Sequence, residues 1–153
     1  MPAYLVNVIV AELEVFEDAP AVLASGKQVP LRYLVPKGVS EDVTRRGFGK
    51  TGAMVETLSR VIGVDYPWHR YDQICVHDFI FGGMENVAAT TMTDLMLMDD
   101  RAAQERDFDT LVAHELMHQW FGDLVTCQDW SQAWLNEGWA TYGEHLWLSL
   151  IHI

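Results

Sequence analysis

Three residues of this sequence have the types and the spacing to do chemistry together. They are His114, Glu115 and His118, in the run His114-Glu115-Leu116-Met117-His118. On an α-helix, side chains four residues apart share one face about a turn apart, so both imidazoles can reach a single ion. This is the HExxH pattern of zinc hydrolases. It also arises by chance, as two histidines bonded to core carbonyls beside a surface glutamate. The rest of the ligand set decides between these readings.

Trp134-Leu135-Asn136-Glu137-Gly138 supplies that rest, with Glu137 nineteen residues beyond His118. A second helix packed on the first would bring Glu137 to the same ion. Two histidines and one carboxylate leave a fourth position open to water, which marks a catalytic rather than a structural zinc site. One Zn2+ per chain is therefore expected on His114, His118 and Glu137. Glu115, beside a ligand but not itself one, stands where a general base belongs.

Two helices must position this set. Residues 108–121 are apolar nearly all round and predict a buried central helix, with Asp107 or Asp109 capping its start and Gly122 after its end. The second is expected from about Ala133, capped by Ser131. It carries Glu137, Thr141, Glu144 and Leu148 on one face. Glu144 could accept a proton from the free nitrogen of a ligating histidine, or be an ordinary surface glutamate. Trp134, Trp139 and Trp147 are expected in the core or in the wall of a pocket.

Further upstream, residues 4–16 and 27–35 read as strands separated by a turn over 17–26, with Pro30 at an edge or bulge. Two strands do not make a stable sheet, so their partner must lie elsewhere. A helix is expected over 41–62, from Ser40 to Gly63, weakened by Gly47, Gly49 and Gly52. The Gly47-Phe48-Gly49-Lys50-Thr51 run lacks the spacing of a phosphate loop. Residues 71–79 predict a strand, and 87–98 a strand or loop whose methionines pack. His69 and His77 sit at no motif spacing and are expected at the surface or in packing. Between these last segments lies Gly82-Gly83-Met84-Glu85-Asn86. Alone it is a glycine-rich bend. Beside a zinc site, its bare glycines would let a substrate backbone lie close, and Glu85 could meet a charge.

A net charge of −12 over 153 residues argues against nucleic-acid binding and suits cationic ligands. Cys75 and Cys127 form no CxxC pair and no disulfide framework. No apolar run reaches transmembrane length, and Met1-Pro2-Ala3-Tyr4 lacks the basic region of a signal peptide, so the cytoplasm is the expected compartment.

Together these segments resemble the aminopeptidase N family of zinc metallopeptidases, gluzincins related to leukotriene hydrolase. GGMEN at 82–86, LVAHELMHQWFGDLVT at 111–126 and DWSQAWLNEGWATY at 129–142 carry the resemblance. It implies an α+β chain, with the C-terminal strands of an N-terminal β domain in 1–36 and the first half of a thermolysin-like catalytic domain in 37–153. It implies zinc on His114, His118 and Glu137, and Glu115 as base and then acid. It also implies a substrate-binding strip over Gly82, Gly83, Met84, Glu85 and Asn86, with Glu85 holding the free α-amine of a peptide. The family's catalytic domain continues past residue 153 to a tyrosine that bonds the tetrahedral intermediate. No position here matches that tyrosine, and the ending 148–153 departs from the family's helix, so the chain is read as a fragment.

The expected reaction is hydrolysis of the N-terminal peptide bond by zinc-activated water. A thermolysin-type endopeptidase is the first alternative, and Glu85 argues against it because an endopeptidase needs no amine anchor. A non-catalytic zinc-dependent peptide-binding module is the second, and Glu115 argues against that. Epoxide hydrolysis, as in leukotriene hydrolase, stays open.

Overall fold

The computed structural model describes residues 2–151. Its centre is a five-stranded sheet in the order β1-β2-β3-β5-β4. β1 (Leu13–Val22) and β2 (Gln28–Pro36) form an antiparallel hairpin, and β2 pairs in parallel with β3 (Tyr71–Val76). β3 pairs in parallel with β5 (Ala89–Thr93), and the two-residue β4 (Gly83–Met84) closes the far edge antiparallel to β5. The missing partner of the first two strands is thus β3. The sheet continues past residue 36, so the strands of residues 1–36 are hydrogen-bonded to β3 within one sheet.

Burial explains the pairing. β2 buries Val29, Leu31, Tyr33 and Val35 in strict alternation, the pattern of a strand with one face on the core. β3 is buried on both faces, as a central strand should be. Its Asp72 is held by Arg32, whose Nε donates at 2.9 Å, and its Gln73 Oε1 accepts the Thr51 hydroxyl at 2.7 Å. The buried Asp72 charge is tolerated because it is paired, and the Gln73 side chain is anchored through its oxygen while its Nε2 has no partner among the described residues.

Several boundaries differ from expectation. The first strand begins at Leu13 rather than Tyr4, and residues 3–5 form a 3-10 turn. The turn over 17–26 shrinks to the residues after Val22, because Pro20 sits in a bulge of the edge strand, where a missing N–H costs no ladder bond. Pro30 faces that same bulge. The helix over 41–62 is two helices, α1 (Glu41–Phe48) and α2 (Thr51–Ile62), broken at Gly49-Lys50. Ser40 caps α1 through the Val43 N–H, and Gly63 ends α2 at φ 75°. The strand over 71–79 stops at Val76, and only Ala89–Thr93 of 87–98 is strand. Met92, Met96 and Met98 pack in the core.

α3 (Asp109–Met117) is shorter than the 108–121 expected, but hydrogen-bonded turns continue it to Phe121. Phe108 occupies its cap position without a side-chain bond, while Asp107 accepts the Asp109 N–H at 3.2 Å. Asp109 instead binds α3 to its neighbours, accepting from Lys50 Nζ at 2.7 Å and from Trp147 Nε1 at 3.2 Å. α4 (Trp134–Ile151) follows a 3-10 turn over Trp130–Gln132. Asp129, not Ser131, caps that turn, accepting the Ser131 N–H at 2.9 Å. His152 and Ile153, the end of the segment expected to depart from the family, lie outside the described residues.

Candidate active site

α3 is buried along its length, with Val112, Ala113, Leu116 and Met117 in the same core as Tyr33, Met54 and Met92. α4 packs across it. Their approach depends on Gly143, where an added Cβ would lie 2.7 Å from the Cβ and Cγ of Met117. At that crossing three ligand atoms converge. His114 Nε2 and His118 Nε2 are 3.2 Å apart, and Glu137 Oε2 is 3.3 Å from the first and 3.5 Å from the second. Ligands about 2.0–2.1 Å from a tetrahedral zinc stand about 3.3 Å from one another, so this triangle fits one face of such a site.

The outer nitrogens of both rings are engaged. Glu144 Oε1 lies 2.7 Å from His114 Nδ1, and the Phe121 carbonyl oxygen 3.0 Å from His118 Nδ1. Each Nδ1–H donates outward, which leaves each Nε2 lone pair facing the triangle. Burial alone would lower the His114 pKa, but Glu137 and Glu144 outweigh it and push it up to about 9. Burial is likewise overcome at His118, whose pKa is raised chiefly by Glu137. The two histidines hold the Glu137 carboxyl far below the usual carboxylate range. The two rings and Glu137 thus favour one another's charged forms, and a divalent cation on neutral imidazoles would take the place of the ring protons. Among the described residues, His114, His118 and Glu137 are the group whose ligand atoms lie close enough to share an ion.

Glu115 is buried on the same helix, and its Oε2 has no partner. Burial pushes its carboxyl up to about 7, against the pull of His118 and His114. It faces β4, where a Cβ on Gly83 would collide with its carboxylate. The bare glycine therefore leaves the room that the Glu115 carboxylate occupies. Gly82, Gly83, Leu111, His114, Glu115 and Glu144 line an open cleft of about 550 Å³. Met84 is half-buried, and Glu85 and Asn86 are buried behind the edge strand. His69 is exposed, and exposed His77 pairs with Asp94 at 2.6 Å, so neither reaches the crossing.

Residues 46–152 match the Peptidase family M1 domain. The chain belongs to that family. Over 151 residues the M1 chain is 36% identical to aminopeptidase N of Mus musculus, covering 95% of this chain and 15% of that protein. Endoplasmic reticulum aminopeptidase 1 of Homo sapiens is 33% identical over 156 residues, covering 99% and 16%. The chain thus spans about a sixth of the length of these curated relatives. An M1 zinc metallopeptidase from Deinococcus radiodurans superposes with a TM-score of 0.71 at 31% identity, covering 92% of this chain and 29% of that one. A mutant of the Deinococcus enzyme bound to a Tyr-Ser-Ala substrate superposes at 0.68 with the same identity, covering 90% and 29%. The α+β architecture is therefore that of the M1 peptidases.

Three residues around the crossing were not legible from the sequence. Gln119 is fully buried beside His118 and accepts the Ala88 N–H at 2.9 Å, bridging α3 to the turn after Asn86. Asp123 is buried with both oxygens unpartnered, and burial, then Glu85 and Glu115, push its carboxyl up to about 8. Gly143 permits the helix crossing. A glutamine, an aspartate and a glycine carry no spacing signal. Only an apolar helix interrupted by polar residues off the ligand face would have marked the first.

Proposed function

We propose that this chain is the opening half of the catalytic domain of a zinc aminopeptidase, with β1 and β2 at its seam with a preceding β domain. The convergence of His114, His118 and Glu137 on one triangle, with Glu115 beside it and a glycine edge opposite, is the observation that carries the reading. It is supported by membership of the M1 family and by relatives named as aminopeptidases.

In this reading His114, His118 and Glu137 hold one Zn2+. When bound, zinc supplies a Lewis acid that polarises a peptide carbonyl and acidifies water. Glu115 takes the proton of the attacking water and hands it to the leaving amine. Glu144 and the Phe121 carbonyl keep the two rings in the tautomer that presents Nε2. Gly82, Gly83 and Met84 offer an open strand edge to the substrate backbone. Glu85 pairs with the protonated α-amine and so sets which peptide bond reaches Glu115, while Asn86 shapes the turn behind it. Glu85, Glu115 and Asp123 form no ion pair with a lysine or arginine among the described residues, which supports a cationic occupant. The substrate class is then peptides with a free N-terminal amine.

The test compares an aminoacyl anilide with its N-acetyl derivative in the full-length parent. The free amine should be cut well and the acetylated compound poorly, and Glu85→Ala should weaken the first. Equal cleavage of both would favour an endopeptidase. Expressed alone with zinc, residues 1–153 should bind metal but turn over at least about a hundredfold more slowly than the parent, the cost of one missing donor to the tetrahedral intermediate.

A further inference from the structure

The strip from Gly82 to Asn86 is gripped from outside the ligand helices. Asn7 lies in the extended segment that follows the first 3-10 turn. Its amide Nδ2 stands 3.2 Å from Asn86 Oδ1, 3.1 Å from the Ala89 carbonyl oxygen and 3.1 Å from Thr91 Oγ1. Thr91 Oγ1 in turn donates to Asn86 Oδ1 at 2.8 Å. The backbone joins in, with the Val87 N–H donating to the Leu5 carbonyl at 3.2 Å. Val6, Val8 and Val10 on either side of Asn7 are exposed, while Asn7 itself is half-buried. The alternation turns this one amide inward.

The turn it grips needs holding. Ala88 adopts φ 58°, a left-handed conformation that its Cβ disfavours. From the opposite side, Gln119 accepts the Ala88 N–H at 2.9 Å, and its Nε2 lies 3.5 Å from the Glu85 carbonyl oxygen. Glu85 therefore sits at the start of a strained turn clamped between the end of α3 and a segment far upstream. A strained conformation persists only where its surroundings over-determine it, and here two side-chain amides add to backbone bonds from Val87 N–H to the Leu5 carbonyl and from Asp72 N–H to the Ala88 carbonyl.

We infer that Asn7 is a positioning residue for recognition of the substrate's α-amine: by donating to Asn86, Ala89 and Thr91 it fixes the turn that presents the Glu85 carboxylate. This rests on the reading of Glu85 as the amine anchor. The Asn7 side chain bonds to Asn86, Ala89 and Thr91 and not to the ligand triangle. Its effect belongs to binding rather than to the chemical step, and it belongs only to substrates that carry the amine.

Steady-state kinetics of the full-length parent test this with Asn7→Ala and Asn7→Asp, and with Glu85→Ala as reference. Each is assayed on an aminoacyl anilide and on its N-acetyl derivative. Asn7→Ala should raise KM for the free amine about three- to tenfold, the effect of losing one or two neutral hydrogen bonds. Its kcat should stay within about twofold, the signature of lost uniform binding. Kinetics on the acetylated compound should not move. Asn7→Asp keeps the shape but turns a donor toward three acceptors into a carboxylate, and should shift KM further. Should that variant not fold, Asn7→Ala carries the test. Unchanged KM in Asn7→Ala, with Glu85→Ala strongly impaired, overturns the inference and leaves the amine anchor standing. So does an equal loss on both substrates accompanied by a lower melting temperature, because that is a general structural role. If Glu85→Ala itself cuts the free amine normally, the anchor reading fails, and the inference fails with it.

Discussion

The two ligand-bearing helices contribute to one triangle from opposite kinds of surroundings. α3 is enclosed: Val112, Ala113, Leu116 and Met117 are all at most 2% exposed, and the His118 side chain is 2% exposed. α4 is enclosed on one side only. Ala140, Gly143 and Trp147 face the core, while Trp134, Trp139 and Tyr142 are 60%, 40% and 49% exposed and border an apolar depression of about 420 Å³. The Glu137 side chain is 61% exposed. The histidine half of the site is therefore fixed by packing. The glutamate half depends on how α4 docks, through Gly143 and the Glu144–His114 contact. The apolar depression is lined by aromatic rings and Gly138 and holds no acid or base, whereas the larger cleft of about 550 Å³ beside α3 is lined by His114, Glu115 and Glu144.

The largest effect should come from the enclosed half. In the parent, Glu115→Gln preserves the shape of the side chain but cannot accept a proton. Turnover of an aminoacyl anilide should fall about a hundred- to ten-thousandfold while the zinc content stays at that of the unmodified protein. Near-normal turnover would remove Glu115 from the reaction.

Next comes the metal, which should tie the open half to the closed one. A ligand that binds only the folded state at a hundred times its Kd stabilises by about 2.7 kcal/mol. Zinc in that excess should raise the melting temperature accordingly, and His118→Ala should abolish both the rise and the bound zinc. Equal zinc in the two proteins would break the ligand assignment. A normal melting shift in Glu137→Ala would show that α4 is held without the metal, and the contrast between the helices would then vanish.

How much of this was readable in advance follows the same division. The His114–His118 pair could be read because helical periodicity alone puts four-apart residues on one face. Glu137 could be read once a second helix was assumed. β2 and α2 were legible from alternation and from three- and four-residue spacing. The strand limits near Leu13 and Val76 were not, since β-branched residues continue outside the sheet and only pairing decides where it ends. Pro20 misled because a bulge and a turn use the same residue. The roles of Gln119, Asn7 and Gly143 depend on neighbours distant in sequence, and single-sequence patterns contain no such information. The three tryptophans of α4 divide between the two places expected of them: Trp147 is in the core, while Trp134 and Trp139 line the apolar depression, with Phe121 stacked on Trp139.

The docking of α4 can be strained directly. A methyl group added at Gly143 would have to displace Met117, which lies one residue before His118 on the enclosed helix. Overpacking of this kind costs about 1–3 kcal/mol. Gly143→Ala should lower the melting temperature and weaken zinc binding together, because the same movement opens the ligand triangle. A variant as stable as the original would mean that the helices approach less closely than the crossing described.

The smallest effect should have the opposite sign. Gly138 lies on the same helix as Gly143, but a Cβ added there meets nothing within 4 Å. Glycine inside a helix costs about 0.5–1 kcal/mol relative to alanine, because the unfolded chain loses more freedom. Gly138→Ala should therefore stabilise this chain by up to about that amount, with zinc binding unchanged. Two identical substitutions five residues apart, one harmful and one helpful, isolate the asymmetry of α4 from its helix propensity. The same variant in the full-length parent then asks what lies over the exposed face. If Gly138→Ala stabilises residues 1–153 but destabilises the parent, the depression beside Trp134, Trp139 and Tyr142 is filled there by further chain. Stabilisation in both would mean that the face stays open, available as part of the substrate cleft.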